Sequence, residues 1–135
     1  MEVRALVVDD TPEVRKLIRM VLWGMGIKGV EEAADGEEAL AILEKGLRAD
    51  KDQERRFDMV LCDIYMPCMD GISFLKEVRK RETIRDIPVI MISGDSTAEK
   101  IMDAVKLGAD DFIIKPYTVK IVEQKVRKIL KLKKI

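Results

Sequence analysis

Ala5-Leu6-Val7-Val8-Asp9-Asp10-Thr11-Pro12 joins a continuous apolar run to two acids and then to a helix start. A short run that is apolar at every position has no solvent face, which suits an interior strand of a parallel sheet. Thr11 is a favourable N-cap, and Pro12 fits the first helical turn. Val14, Leu17, Ile18, Val21 and Leu22 then recur at helical spacing, and Gly24 and Gly26 close the segment.

The same pairing of strand and helix recurs along the rest of the chain. A weaker strand spans about Val30 to Ala34, and Asp35-Gly36 turns it into a helix carrying Ala39, Leu40, Ile42 and Leu43. Residues 47–57 are charged and aperiodic, and read as a helix extension or a loop between the second helix and the third strand. Met59-Val60-Leu61-Cys62 is again apolar and again ends in an acid, Asp63. Past Met66-Pro67 and Gly71, a helix carries Ile72, Leu75 and Val78. Val89-Ile90-Met91-Ile92 ends at Ser93-Gly94, and a helix over about Ala98 to Leu107 stops at Gly108. Phe112-Ile113-Ile114 ends at Lys115-Pro116, before a last helix with Ile121, Val122, Val126, Ile129 and Leu130. Five strand–helix units of this kind predict an α/β fold, a doubly wound parallel sheet with helices on both faces.

Length and composition set the outer bounds. A chain of 135 residues supports one domain with a real core, so a single domain over 1–135 is expected. Hydrophobic residues make up 47% and charged residues 37%, as in a soluble globular protein. No apolar run reaches a membrane span, and the N-terminus lacks the layout of a signal peptide, so the cytoplasm is expected and a membrane is not. Twenty-five basic residues balance 25 acidic ones, which argues against nucleic acid as a partner. The basic tail (Lys120, Lys125, Arg127, Lys128, Lys131, Lys133, Lys134) reads as a solvated helix face. Cys62 reads as a buried apolar residue and Cys68 is left open. With no histidine in the chain, histidine-based triads, zinc hydrolase sites and a phosphohistidine transmitter are excluded.

Carboxylates, a hydroxyl and a lysine remain, and they stand where such a sheet binds ligands, beyond the carboxyl ends of the strands. The first strand ends in Asp9-Asp10, the third in Asp63, the fourth in Ser93 and the fifth in Lys115. Two carboxylates about 4 Å apart repel by roughly 4 kcal/mol at an effective dielectric of about 20, so a crowded acid site requires a cation. Magnesium fits oxygen ligands and needs only one or two carboxylates. Lys115 and Ser93, on the other side of Asp63, add a fixed positive charge and a hydrogen-bond donor. That set suits a phosphoryl group on a carboxylate: Asp63 is the nucleophile, and Lys115, Ser93 and Mg2+ stabilise the transferring oxygens. Asp10 also suits a helix cap, with Glu13 three residues on as in a capping box.

These residues resemble a known family. Val7-Val8-Asp9-Asp10, Asp63-Ile64-Tyr65-Met66-Pro67 with Met69-Asp70-Gly71, Ser93-Gly94, Gly108-Ala109 and Lys115-Pro116 are similar to the signature of two-component response-regulator receiver domains. The resemblance covers nearly the whole chain. It implies a flavodoxin-like (βα)5 sheet of order 2-1-3-4-5, with Asp63 phosphorylated by a histidine kinase. It implies magnesium on Asp9, Asp10, Asp63 and the main-chain carbonyl of Tyr65. Ser93 would be the switch hydroxyl, Phe112 the switch aromatic and Lys115 the phosphate-contacting lysine, with a Lys115-Pro116 bond that is cis in many relatives. Val30-Glu31-Glu32-Ala33, Ile87-Pro88-Val89-Ile90-Met91 and Lys115-Pro116-Tyr117-Thr118 look like the CheY-like chemotaxis members. That likeness implies a CheA-like kinase and a flagellar motor switch protein as partners, and with the sequence ending at the fifth helix no attached output domain is expected.

Four features depart from the pattern. Ile64 stands where CheY-like proteins often carry tryptophan, and the lone Trp23 lies in the first helix, so its fluorescence should barely respond to site ligands. Tyr65 is bulkier than the usual asparagine, and with Asp95 it lines the approach of hydrolytic water. Phe112 replaces tyrosine, and residues 47–57 are longer than the usual connection. Within the family the rival reading is a stand-alone phosphorelay shuttle. Outside it, a haloacid-dehalogenase-like phosphohydrolase would need a second acid two residues after its nucleophile, and that position is Tyr65. A nucleotide carrier would need a glycine-rich motif after the first strand, and none is present.

Overall fold

Alternate residues of the three inner strands enter opposite cores, which explains why those runs are apolar throughout. The computed structural model describes residues 3–48, 56–94 and 98–133. In chain order its elements are β1 (Arg4–Val8), α1 (Pro12–Gly24), β2 (Gly29–Ala33), α2 (Gly36–Arg48), β3 (Met59–Asp63), α3 (Gly71–Lys80), β4 (Val89–Ser93), α4 (Ala98–Lys106), β5 (Asp111–Ile114) and α5 (Val119–Lys133). The strands are all parallel, in the order β2-β1-β3-β4-β5.

Ala5, Val7, Met59, Leu61, Ile90, Ile92 and Ile113 face one core, where they meet Ile18 and Leu22 of α1 and Val122, Val126 and Ile129 of α5. Leu6, Val8, Val60, Cys62, Val89 and Met91 face the other, against Leu40 and Leu43 of α2, Phe74, Leu75 and Val78 of α3, and Ala104 of α4. Burying one such aliphatic side chain contributes about 1.5–3 kcal/mol, so both faces of the sheet are strongly committed.

Strand ends fall close to the expected places, with β2 one residue earlier than read from the sequence. The cap reading of Asp10 is not realised. Thr11 holds the N-cap position of α1 and makes no side-chain cap bond. Its own N–H donates to the Asp9 carboxylate at 2.8 Å, which ties the start of α1 to the end of β1. Of the charged segment 47–57, residues 47 and 48 complete α2 and Phe57 is buried in the core, while 49–55 lie outside the described residues.

Register delivers the site. Val8 pairs with Cys62, so the next residues, Asp9 and Asp63, leave the sheet side by side. Ser93 pairs with Ile114, which places Lys115 one step beyond Ser93. The Lys115 N–H donates to the Ser93 carbonyl at 2.8 Å and holds the two strand ends together.

Candidate functional site

Asp9, Asp10 and Asp63 meet beyond the carboxyl ends of β1 and β3. One carboxylate oxygen from each lies within 4.8 Å of the others. Asp9 and Asp63 are buried at 3% and 8% exposure, whereas Asp10 is exposed. The Lys115 ammonium lies 3.6 Å from Asp63 Oδ1. The same oxygen accepts the Ile64 N–H at 2.9 Å, which fixes the carboxylate plane. Ser93 is fully buried at the end of β4.

The electrostatics of this corner are uneven. Burial pushes the Asp63 carboxyl above its ordinary range, and Lys115 pulls it back. Asp9 pushes it up again, the Ile64 N–H lowers it, and Asp10 adds a final upward push. A neutral Asp63 would be a poor nucleophile, so a further cation at the acids completes the charge balance. The donor set fits one. Oxygens around an octahedral ion at about 2.1 Å lie about 3–4 Å apart, close to the spread of the three acids. The acid cluster can therefore hold a metal ion.

The loop after Asp63 packs closely against the end of β3. Gly71 donates to the Ile64 carbonyl at 2.7 Å, folding the loop back on itself. A Cβ at Gly71 would sit 2.2 Å from the Asp63 carbonyl oxygen and 2.8 Å from Ile64 Cα, so only glycine allows that approach. Asp70 caps α3 through the Ser73 N–H at 2.8 Å. Tyr65 is half exposed at the mouth, with the Lys100 ammonium 5.9 Å from its ring centre. Asp95, expected to share that approach, lies outside the described residues.

Phe112 is partly buried against the core shared with Ala104 of α4. The Lys115-Pro116 bond is cis. Cys62 is buried directly before Asp63, and its thiol donates to the Asp63 carbonyl at 3.2 Å. Burial, followed by the charge of Asp63, pushes that thiol well up, so it is an inert neighbour. Cys68 is exposed.

Sequence reasoning missed part of the site. Tyr117 is partly buried, and burial followed by the charges of Asp9 and Asp63 raises its phenol. Its position two residues after Lys115 was the available signal. Arg15 also reaches the site, where its Nη1 donates to the Asp9 carbonyl at 2.6 Å.

A strand-end carboxylate with a lysine at 3.6 Å and two further acids beside it is the arrangement that the family resemblance implies. Residues 5–127 match the family described as "Response regulator receiver domain". The chain belongs to this family. The chemotaxis protein CheY-3 of Vibrio cholerae serotype O1 is 35% identical over 126 residues, 93% of this chain and 90% of that protein. The solved chemotaxis response regulator CheY4 of Vibrio cholerae is 30% identical, with a TM-score of 0.79 over 96% of this chain and 99% of that one. A putative response regulator from Chloroflexus aurantiacus is 29% identical, with a TM-score of 0.84 over 97% and 99%. This receiver is a phosphorylation-activated signalling protein homologous to the CheY regulators. No helix among its described residues is long and apolar enough to cross a membrane.

Proposed function

We propose that the 135 residues act as a single receiver that takes a phosphoryl group from a histidine kinase onto Asp63 and catalyses only its own phosphorylation and dephosphorylation. The observation that carries this reading is the Asp63 carboxylate, nearly buried, with Lys115 at 3.6 Å and carboxylate oxygens of Asp9 and Asp10 within 4.8 Å. A carboxylate oxygen of Asp63 attacks the phosphorus of the donor phosphohistidine. The P–N bond breaks, and the electron pair leaves on the imidazole, which is then protonated. Lys115 stays against the transferring oxygens, and the Ser93 hydroxyl donates to one of them after the transfer. Magnesium, held by Asp9, Asp10, Asp63 and the Tyr65 carbonyl, supplies the remaining positive charge when bound.

Ser93 and Phe112 then form the switch. Phosphorylation shifts an existing equilibrium of the face built from α4, β5 and α5. That face supports the reading: Met102 and Val105 on α4, Ile114 on β5, and Val119 on α5 are exposed apolar residues. The likeness to CheY-3 favours a CheA-like kinase upstream, a flagellar motor switch protein downstream, chemotaxis as the setting and the cytoplasm as the place. A zero net charge speaks against nucleic acid.

Incubation with acetyl phosphate and Mg2+, followed by intact mass, tests the chemistry. Wild type is expected to gain one phosphoryl group, and Asp63→Asn none. A persistent adduct on Asp63→Asn would remove Asp63 from the centre of the mechanism. Binding of a switch-protein peptide only in the presence of an acyl-phosphate mimic separates motor control from a phosphorelay shuttle.

A further inference from the structure

The Asp9–Asp10 pair is held from outside the site by a chain of charges that crosses from α1 to β2. The Asp9 N–H makes the last ladder-like bond of β1, to the Ala33 carbonyl at 3.0 Å. Beyond it the peptide joining Asp9 to Asp10 has left the sheet. Its carbonyl accepts Arg15 Nη1 at 2.6 Å. Arg15 Nε donates to Glu32 Oε1 at 2.9 Å, and the other carboxylate oxygen of Glu32 takes Arg19 Nη2 at 2.9 Å. Arg15 and Glu32 are mostly buried, at 16% and 22% side-chain exposure, so neither is a freely solvated surface charge.

We infer that Arg15, held in place by Glu32, is a positioning residue for the divalent-cation site. The Asp9 carbonyl lies in the plane of the Asp9–Asp10 peptide. Fixing that oxygen fixes the peptide plane, and with it the directions in which both carboxylates leave β1. Two adjacent acids repel each other and would otherwise rotate apart. Glu32 also engages the guanidinium that stands nearest to Asp9. Released, Arg15 could swing onto the Asp9 carboxylate and occupy the place of the ion. The pair thus acts as outer partners do in other metal sites, by orienting ligands it never replaces.

The inference rests on the magnesium reading above, and charge sign separates it from a simple field effect. Arg15→Met removes a positive charge near the acids, and Glu32→Gln removes a negative one. A field effect predicts tighter Mg2+ binding for the first and weaker for the second. Positioning predicts weaker binding for both.

The experiment is Mg2+ titration by calorimetry, with the Mg2+-induced rise in Tm as a second readout, on the full chain. Arg15→Met and Glu32→Gln are each expected to weaken Mg2+ binding about tenfold. The same loss should appear as a raised Mg2+ requirement for phosphorylation by acetyl phosphate. Arg15→Lys should recover part of the affinity. Glu31→Gln, the same charge change one residue earlier, should match wild type. Arg15→Met binding Mg2+ as tightly as wild type, or Glu32→Gln behaving like Glu31→Gln, overturns the inference while leaving the magnesium reading intact. Should Arg15→Met not fold, Arg15→Lys decides: the charge is kept, so a field effect leaves Mg2+ affinity unchanged, whereas positioning lowers it because the planar guanidinium is lost. A wild type that takes up no Mg2+ overturns both.

Discussion

The two ends of the sheet treat their acids in opposite ways. At the amino end, each acid meets a nearby donor. Asp58 accepts the Arg4 N–H at 2.8 Å, ahead of β3. Asp110 accepts Arg79 at 3.0 Å and the Val89 N–H at 2.8 Å. Asp111 accepts Lys125 and the Phe112 N–H, each at 2.8 Å. At the carboxyl end, Asp9, Asp10 and Asp63 crowd together with Lys115 as their close cation. The amino end is nearly complete as folded; among the described residues only Asp111 Oδ2 is buried without a hydrogen bond, with the Lys128 ammonium 3.9 Å away. The carboxyl end is left short of positive charge, which is the condition for binding an ion and then a phosphoryl group.

Breaking the quiet end should therefore damage stability and spare chemistry. Arg79 of α3 donates at 2.7 Å to the carbonyls of Arg85 and Ile87, and twice to that of Gly108 at the end of α4, besides Asp110. Arg79→Met leaves those oxygens without their donor. Water reaches some of them, so the expected loss is about 2 kcal/mol in urea unfolding, with Mg2+ affinity unchanged. A variant of full stability, or one with weakened Mg2+ binding, would erase the division between the two ends.

The reactive end should show the reverse sign. Burial raises the Asp63 carboxyl in the folded chain above its value in the unfolded chain. Its contribution to stability is then fully present below the ordinary carboxylate range and is lost as pH rises through the raised folded value. Metal-free Asp63→Asn is accordingly expected to be more stable than wild type near neutral pH, by an amount that vanishes in acid. Mg2+ should raise the Tm of wild type more than that of the variant. Thermal melts across pH with and without Mg2+ check this, and a variant less stable than wild type at neutral pH contradicts it.

The reactive end was also the more legible in the sequence. Asp9, Asp63, Ser93 and Lys115 each follow an apolar run directly, so the strand pattern itself marked them. The sheet was readable for the same reason, because residues buried on both faces leave little ambiguity of period. What escaped were side chains that act across elements. Arg15 and Glu32 lie 17 residues apart on a helix and a strand, and each alone reads as an ordinary surface charge. Arg79 reads as one more basic residue near a helix C-terminus until its carbonyl partners are known. Asp10 looked like a cap because its spacing to Glu13 allows one, yet the N-cap is Thr11, one residue later, and the helix begins at Pro12.

The smallest expected effect concerns Trp23. It lies in the last turn of α1, which places it toward the amino end of the sheet, with Arg19 at 5.5 Å and Lys28 at 6.0 Å from its ring centre. Its fluorescence should barely change on adding Mg2+ or a phosphoryl analogue, since the charges that change are at the opposite end. Titration at fixed protein concentration checks this. Arg19 offers the one route on which the expectation can fail, because it touches both the indole and Glu32, which holds Arg15 against the Asp9 carbonyl. Strong quenching that disappears in Glu32→Gln would mean that this route carries the ion's arrival along α1, and that the two ends of the sheet are coupled.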